Sequence, residues 1–118
     1  MFDRLEIFML ASAQARHAAA RQAVVAQNIA NADTPGYRTK DITEFAEVLR
    51  SLQRRPERLN GMLPIRASEV SSPASPNGNN VSLELEMLRG VEADRAHSRA
   101  LRVYGSAMEI LRTSLGRR

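Results

Sequence analysis

The 118-residue chain has no cysteine and no tryptophan, two tyrosines, three phenylalanines and a single lysine, Lys40. Without cysteine there is no disulfide framework, no thiolate nucleophile and no sulfur-ligated zinc site. Aromatic side chains make up 4% of the residues, which leaves few large rings to fill a β-sandwich or barrel. No run approaches the ~18 consecutive apolar residues of a membrane-spanning helix, so direct membrane insertion is not expected. The opening Met1-Phe2-Asp3-Arg4-Leu5-Glu6 carries acids where a secretory signal carries bases. Any passage out of the cytoplasm is therefore expected to proceed without a cleaved signal peptide.

The means of catalysis are equally sparse. His17 and His97 are the only histidines, and both read as solvated residues on helix faces; Asp94, three residues before His97, is the one carboxylate at ligand spacing. Glu84 and Glu86 fall on different faces of a helix and cannot act as a carboxylate pair. There is no glycine-rich phosphate loop, serine-nucleophile turn or metal box. The sequence predicts no enzyme: no catalytic residues, no metal ligands and no cofactor.

What the chain does have is alanine and arginine. Its length suits one domain, and ten alanines fall between Ala11 and Ala32. Such small side chains bury little area each, so helices must pack closely or find partners. The net charge of +4 comes from sixteen arginines and Lys40, and it is blocky. Arg50, Arg54, Arg55, Arg58 and Arg66 are offset only by Glu57, Ser82 to Asp94 is acidic, and Arg95 to Arg118 is basic. Arg95, Arg99 and Arg102 share one helix face, with Arg54, Arg55 and Arg58 as a second patch, which raises a basic helical nucleic-acid-binding protein as the alternative from another class. Stacking aromatics are not interleaved and no nucleic-acid motif is present, so no nucleic-acid partner is expected.

Residues 3 to 30 contain no glycine or proline and read as one long helix. Leu5, Phe8, Ser12, Ala15, Ala19, Gln22, Ala26 and Ile29 follow the alternating three-and-four spacing of a coiled-coil seam. Asn31 to Tyr37 is a run of breakers, and Pro35-Gly36 suits the centre of a type II turn. Asp41 and Glu44 resemble a capping box for a short amphipathic helix over Ile42 to Gln53. Met62, Leu63, Ile65 and Val70 suit one extended piece, whereas Ser68 to Asn80 has a composition too polar to offset the entropy of ordering. Ser82 is placed as the N-cap of a last helix whose Leu83, Met87, Gly90, Asp94, His97, Leu101, Tyr104, Met108, Leu111 and Leu115 keep the same alternation.

The predicted class is therefore mostly α. Two long terminal helices form an antiparallel coiled-coil-like hairpin, with a short amphipathic helix and an irregular, partly disordered middle segment. Four units are expected: an N-terminal axial helix (1–33), a turn with a short amphipathic helix (34–55), a flexible loop (56–81) and a C-terminal axial helix (82–118).

The run Asn28-Ile29-Ala30-Asn31-Ala32-Asp33-Thr34-Pro35-Gly36-Tyr37-Arg38 resembles the N-terminal signature of the bacterial flagellar axial proteins, those of the rod, hook and hook-associated segments. Gly78 to Met87, before the last helix, resembles the proximal-rod members in particular, and Arg50 to Arg66 has no counterpart in the family. The resemblance implies a structural subunit of the flagellar basal body, exported unfolded by the flagellar type III apparatus to the periplasmic rod and polymerised helically through its terminal helices. The implied partners are copies of itself, other rod proteins of the FlgC, FlgF and FlgG type, the FliE adaptor, and the MS-ring with its export gate. It also singles out Asn28, Ile29, Asn31, Asp33, Thr34, Pro35, Gly36 and Tyr37 as an assembly motif. Asn80, Val81 and Ser82 mark the start of the C-terminal helix. Leu5, Phe8, Leu101, Tyr104, Met108, Leu111 and Leu115 are expected as seam residues.

Overall fold

A computed structural model of the chain describes the backbone of residues 2–116 and the side chains of residues 6–58 and 61–116. The elements are helix α1 (Phe2–Ala30), strand β1 (Lys40–Ile42), helix α2 (Phe45–Arg54), a 3-10 turn (Pro56–Asn60), strand β2 (Ala67–Glu69) and helix α3 (Leu83–Gly116). Helices α1 and α3 lie antiparallel: Phe8 meets Tyr104 edge to face, Gln22 reaches Gly90 and Asn28 reaches Glu86. The result is a rod of 67 × 27 × 16 Å with a radius of gyration of 17.8 Å, against roughly 13 Å for a compact chain of about 100 residues.

The helix pair closes on small side chains. Ala11, Ala18 and Val25 are buried on α1, and Glu86, Ala93 and Ala100 on α3. Both sets repeat every seven residues, the period that keeps one stripe of a helix facing a partner. This corrects the predicted phase within the chain. The expected seam runs one residue later on each helix, and Ile29 (40% exposed), Leu101 (52%) and Leu115 (66%) face solvent. Phe8 and Leu111 are half-buried, while Tyr104 and Met108 lie just on the exposed side. The side chain of Leu5 lies outside the described residues. The physical reason is size: helices that approach closely need alanine at the line of contact, so the bulkier residues move to its flanks.

The other face of α1 carries the rest of the domain. Ala13 packs with Val48, Leu52 and Leu63, flanked by Phe45 and Ile65, which docks α2 and the following loop onto α1. Helix α2 starts three residues later than its pattern predicts. Lys40–Ile42 instead pairs antiparallel with Ala67–Glu69, Ile42 opposite Ala67. Nor is Asp41 a cap: its carboxylate accepts from the Ile42 amide at 2.8 Å and pairs with Arg21 at 3.4 Å and Arg89 at 3.7 Å. His17 also departs from the sequence reading. It is only 8% exposed, stacks near Phe45, and its Nε2 donates to the Thr43 carbonyl at 2.6 Å.

Candidate functional site

The residues with the strongest sequence signature gather at one end of the hairpin, where the chain leaves α1. Asn31 Nδ2 donates to the Gln27 carbonyl at 2.8 Å, and its Oδ1 accepts from Thr34 Oγ1 at 3.0 Å. The chain then reverses over Thr34 to Tyr37, closed by the Tyr37 amide on the Thr34 carbonyl at 3.2 Å. Gly36 takes φ +75° there, the left-handed value that a type II turn needs at its third residue. Ile29, Asp33 and Pro35 face outward from this turn.

The segment before α3 folds onto the same turn. The Gly36 amide donates to the Asn77 carbonyl at 2.9 Å, and Gly78, with φ +88°, lies so near that a Cβ there would stand 3.3 Å from Gly36 Cα. Asn79 Nδ2 donates to the carbonyls of Asn31 (2.9 Å) and Thr34 (2.8 Å), each of which also accepts a backbone amide of the turn. Its Oδ1 accepts from the Val81 amide at 2.8 Å. Asn80 Oδ1 accepts from the Thr39 amide at 2.6 Å, while its Nδ2 donates to the Val70 carbonyl at 2.9 Å. Ser82 Oγ accepts from the Leu85 amide at 3.4 Å, in the manner of a long N-cap bond. The part of the connector from Ser71 to Asn80, whose composition predicts no fixed place, is thus tied down by its own asparagines.

Beneath the turn lies a closed polar network. Asn28 and Glu86 are both 0% exposed. Asn28 Nδ2 donates to the Lys40 carbonyl (2.7 Å) and to Glu86 Oε2 (3.0 Å), and its Oδ1 accepts from Tyr37 Oη (2.9 Å) and the Lys40 amide (3.1 Å). Glu86 Oε1 accepts from Thr39 Oγ1 and from Arg89 Nη1, each at 2.7 Å. Among the described residues, no buried side-chain nitrogen or oxygen is left without a partner. Burial pushes the Tyr37 hydroxyl above its usual range, and the charge of Glu86 adds to that rise.

Residues 28 to 39 from one end of the chain and 77 to 86 from the other are therefore brought together. Sequence reasoning missed Thr39, Asn79, Glu86 and Arg89 as members. A usable signal for Glu86 is its place seven residues before Ala93, in phase with the alanines and so on the buried face. The residues predicted for the seam, Phe8, Leu101, Tyr104, Met108, Leu111 and Leu115, lie away from this junction, toward the far end of the rod. Among the described residues no three His, Asp or Glu side chains converge as metal ligands, and no helix is long and apolar enough to cross a membrane. What the arrangement offers is a fixed joint between two helices.

Comparison with known proteins decides the family. A family described as "Flagella basal body rod protein" matches residues 9–38. The chain is 32% identical over 128 residues to the flagellar basal body rod protein FlgB of Salmonella typhimurium, covering 92% of this chain and 93% of that one. The chain belongs to the FlgB family of flagellar basal body rod proteins. It is also 31% identical to FlgB of Agrobacterium fabrum, over 79% of this chain and 80% of that one. With FlgB of Escherichia coli K12 it shares 45% identity over 55 residues, 46% of this chain. The family segment ends at Arg38, so it holds the greater part of α1 and the whole turn, but none of α3.

Proposed function

We propose that the chain is a non-enzymatic structural subunit of the proximal rod, exported through the flagellar type III apparatus and polymerised through α1 and α3. The observation that carries this reading is the joint itself: Asn28, Asn31, Gly36 and Tyr37, within the family-matched segment, take part in locking two long helices into a rod-shaped unit. Such a unit lets neighbours pack along its length.

The apolar residues left outside the intrachain seam support the same reading. Ile7, Leu10 and Ile29 on α1, with Leu83, Met87, Leu101, Met108 and Leu115 on α3, are all exposed in the single chain. A helix that is apolar well beyond one stripe is a helix to be buried. Copies of this chain and rod proteins of the FlgC, FlgF and FlgG type are the neighbours we propose for these faces, with the FliE adaptor, the MS-ring and the export gate at the membrane end.

Electron cryotomography of basal bodies in cells lacking the gene tests this. Membrane rings and export apparatus without a rod, restored by the intact chain, are the expected result. Complete rods and hooks in the deleted strain would refute it.

A further inference from the structure

The seam between α1 and α3 has a degeneracy that its alanines cannot resolve. Ala11, Ala18 and Val25 face Glu86, Ala93 and Ala100, all at seven-residue spacing, and Ala107 continues the second row, half-buried. Sliding α3 by one heptad, about 10 Å along the axis, brings Ala107 to Ala11 and Ala100 to Ala18. Alanine again meets alanine along these rows, while His97 takes the place of Gly90, where a Cβ would stand 3.5 Å from Val25 Cγ1. Before the asparagines that hold it to the turn, the connector's ordered parts are only two three-residue strands, α2 and short turns.

One layer of the seam is polar and fully buried. Asn28 and Glu86, fully buried, bond to each other and to Thr39, Lys40, Tyr37 and Arg89. In the slipped register Glu86 passes beyond the end of α1, and Asn28 loses a partner that nothing in the alanine rows replaces. A buried polar residue in an otherwise apolar seam is the best-attested way for helices to specify register, at some cost in stability.

We infer that the Asn28–Glu86 pair is a register lock: it is present to select one axial alignment of the terminal helices rather than to add stability. Asn28 and Glu86 are positioning residues, and the alignment they choose sets where the outer apolar residues of α1 and α3 stand relative to each other. The consequence for rod incorporation rests on the proposed function, whereas the register itself does not.

Because the chain has no cysteine, introduced pairs report register cleanly. In the full-length chain, Ala11→Cys with Ala100→Cys reads the native alignment and Ala11→Cys with Ala107→Cys the slipped one, since disulfides form only across Cα separations of roughly 4.4–6.8 Å. In the otherwise native chain only the first pair is expected to close. Adding Asn28→Leu and Glu86→Leu is expected to leave the melting temperature equal or higher, yet to raise the yield of the slipped disulfide from background to that of the native one. Glu86→Gln, which keeps a hydrogen-bonding side chain, is expected to restore the native pair alone. If the double leucine variant closes only the native pair, the connector's asparagines set the register and the inference falls. A double variant that simply unfolds also overturns it, because the pair would then be a source of stability. Native register with failed rod rescue would instead count against the proposed function.

Discussion

Asn79 completes the end of a helix to which it does not belong: its amide bonds the carbonyl of Asn31 at 2.9 Å across 48 residues of chain. The same nitrogen also reaches Thr34, so one side chain serves two carbonyls of the signature turn. Asn79→Ala strips both at once. Because each carbonyl keeps a backbone partner, the Thr34 amide on Asn31 and the Tyr37 amide on Thr34, the expected loss is about 1 kcal/mol per bond removed, read by chemical denaturation of the full chain with an unchanged denaturant slope. A stability equal to that of the parent would show that water replaces the amide.

Gly36 sits at φ +75° with open space where a Cβ would go, so the penalty for a side chain there is conformational and not steric. Gly36→Val, β-branched, is expected to cost about 1–3 kcal/mol and to abolish rod assembly without abolishing synthesis. Swimming at parental speed by cells carrying it would rule out the turn as an assembly requirement. Gly78→Ala tests the other wall of the same contact, where the added carbon meets Gly36 Cα at 3.3 Å.

The raised Tyr37 hydroxyl gives a direction for alkaline stability. A group whose folded value lies above its unfolded one contributes stability that is complete below the unfolded value, near pH 10.0, and lost as pH climbs through the folded one. Burial is the larger cause and Glu86 the smaller. Denaturation midpoints measured between about pH 8 and pH 11 should fall at the alkaline end, and Tyr37→Phe should flatten that fall. An unchanged slope in the phenylalanine variant would assign the effect to other groups.

At the opposite end of the rod, the Phe8 and Tyr104 rings stand 5.1 Å apart at 75°, the edge-to-face arrangement. A double-mutant cycle with Phe8→Leu and Tyr104→Leu should return a coupling of about 0.5–1.5 kcal/mol. Zero coupling would mean that this end of the hairpin is held by α3 and α1 backbone proximity alone.

Ala93, 1% exposed, tests the seam between these two ends. Ala93→Leu forces three further carbons into a closed contact, and overpacking of this kind costs about 1–3 kcal/mol. Leu101→Ala, on the exposed flank, should change stability of the single chain far less while impairing rod assembly. Equal effects on stability would place Leu101 in the intrachain seam after all.

Both long helices, the turn at Pro35-Gly36 and the antiparallel pairing were legible in the residues. The phase of the seam was not, and the reason is physical. Periodicity draws the eye to Leu101, Met108 and Ile29, but the hairpin closes on Ala11, Ala18, Ala93 and Ala100, whose bulk gives no signal. The strands at Lys40–Ile42 and Ala67–Glu69 were equally hidden, because three-residue strands owe their existence to each other and not to local propensity. Locally, Glu86 is only an acid in the first turn of α3, where the helix dipole favours one. Its burial depends on Asn28 and Thr39 arriving from 58 and 47 residues away in the chain, beside Arg89 one turn along the same helix.

The seven-residue spacing of the alanines has a geometric consequence of its own. An α-helix turns once in about 3.6 residues, so a stripe of strict period seven drifts by roughly 20° per heptad around a straight helix. Two helices that keep such stripes in touch must wind about each other with a left hand. Chirality is thereby written into the seam of the subunit, and any bundle built by laying these units side by side starts from elements that already share one sense of twist.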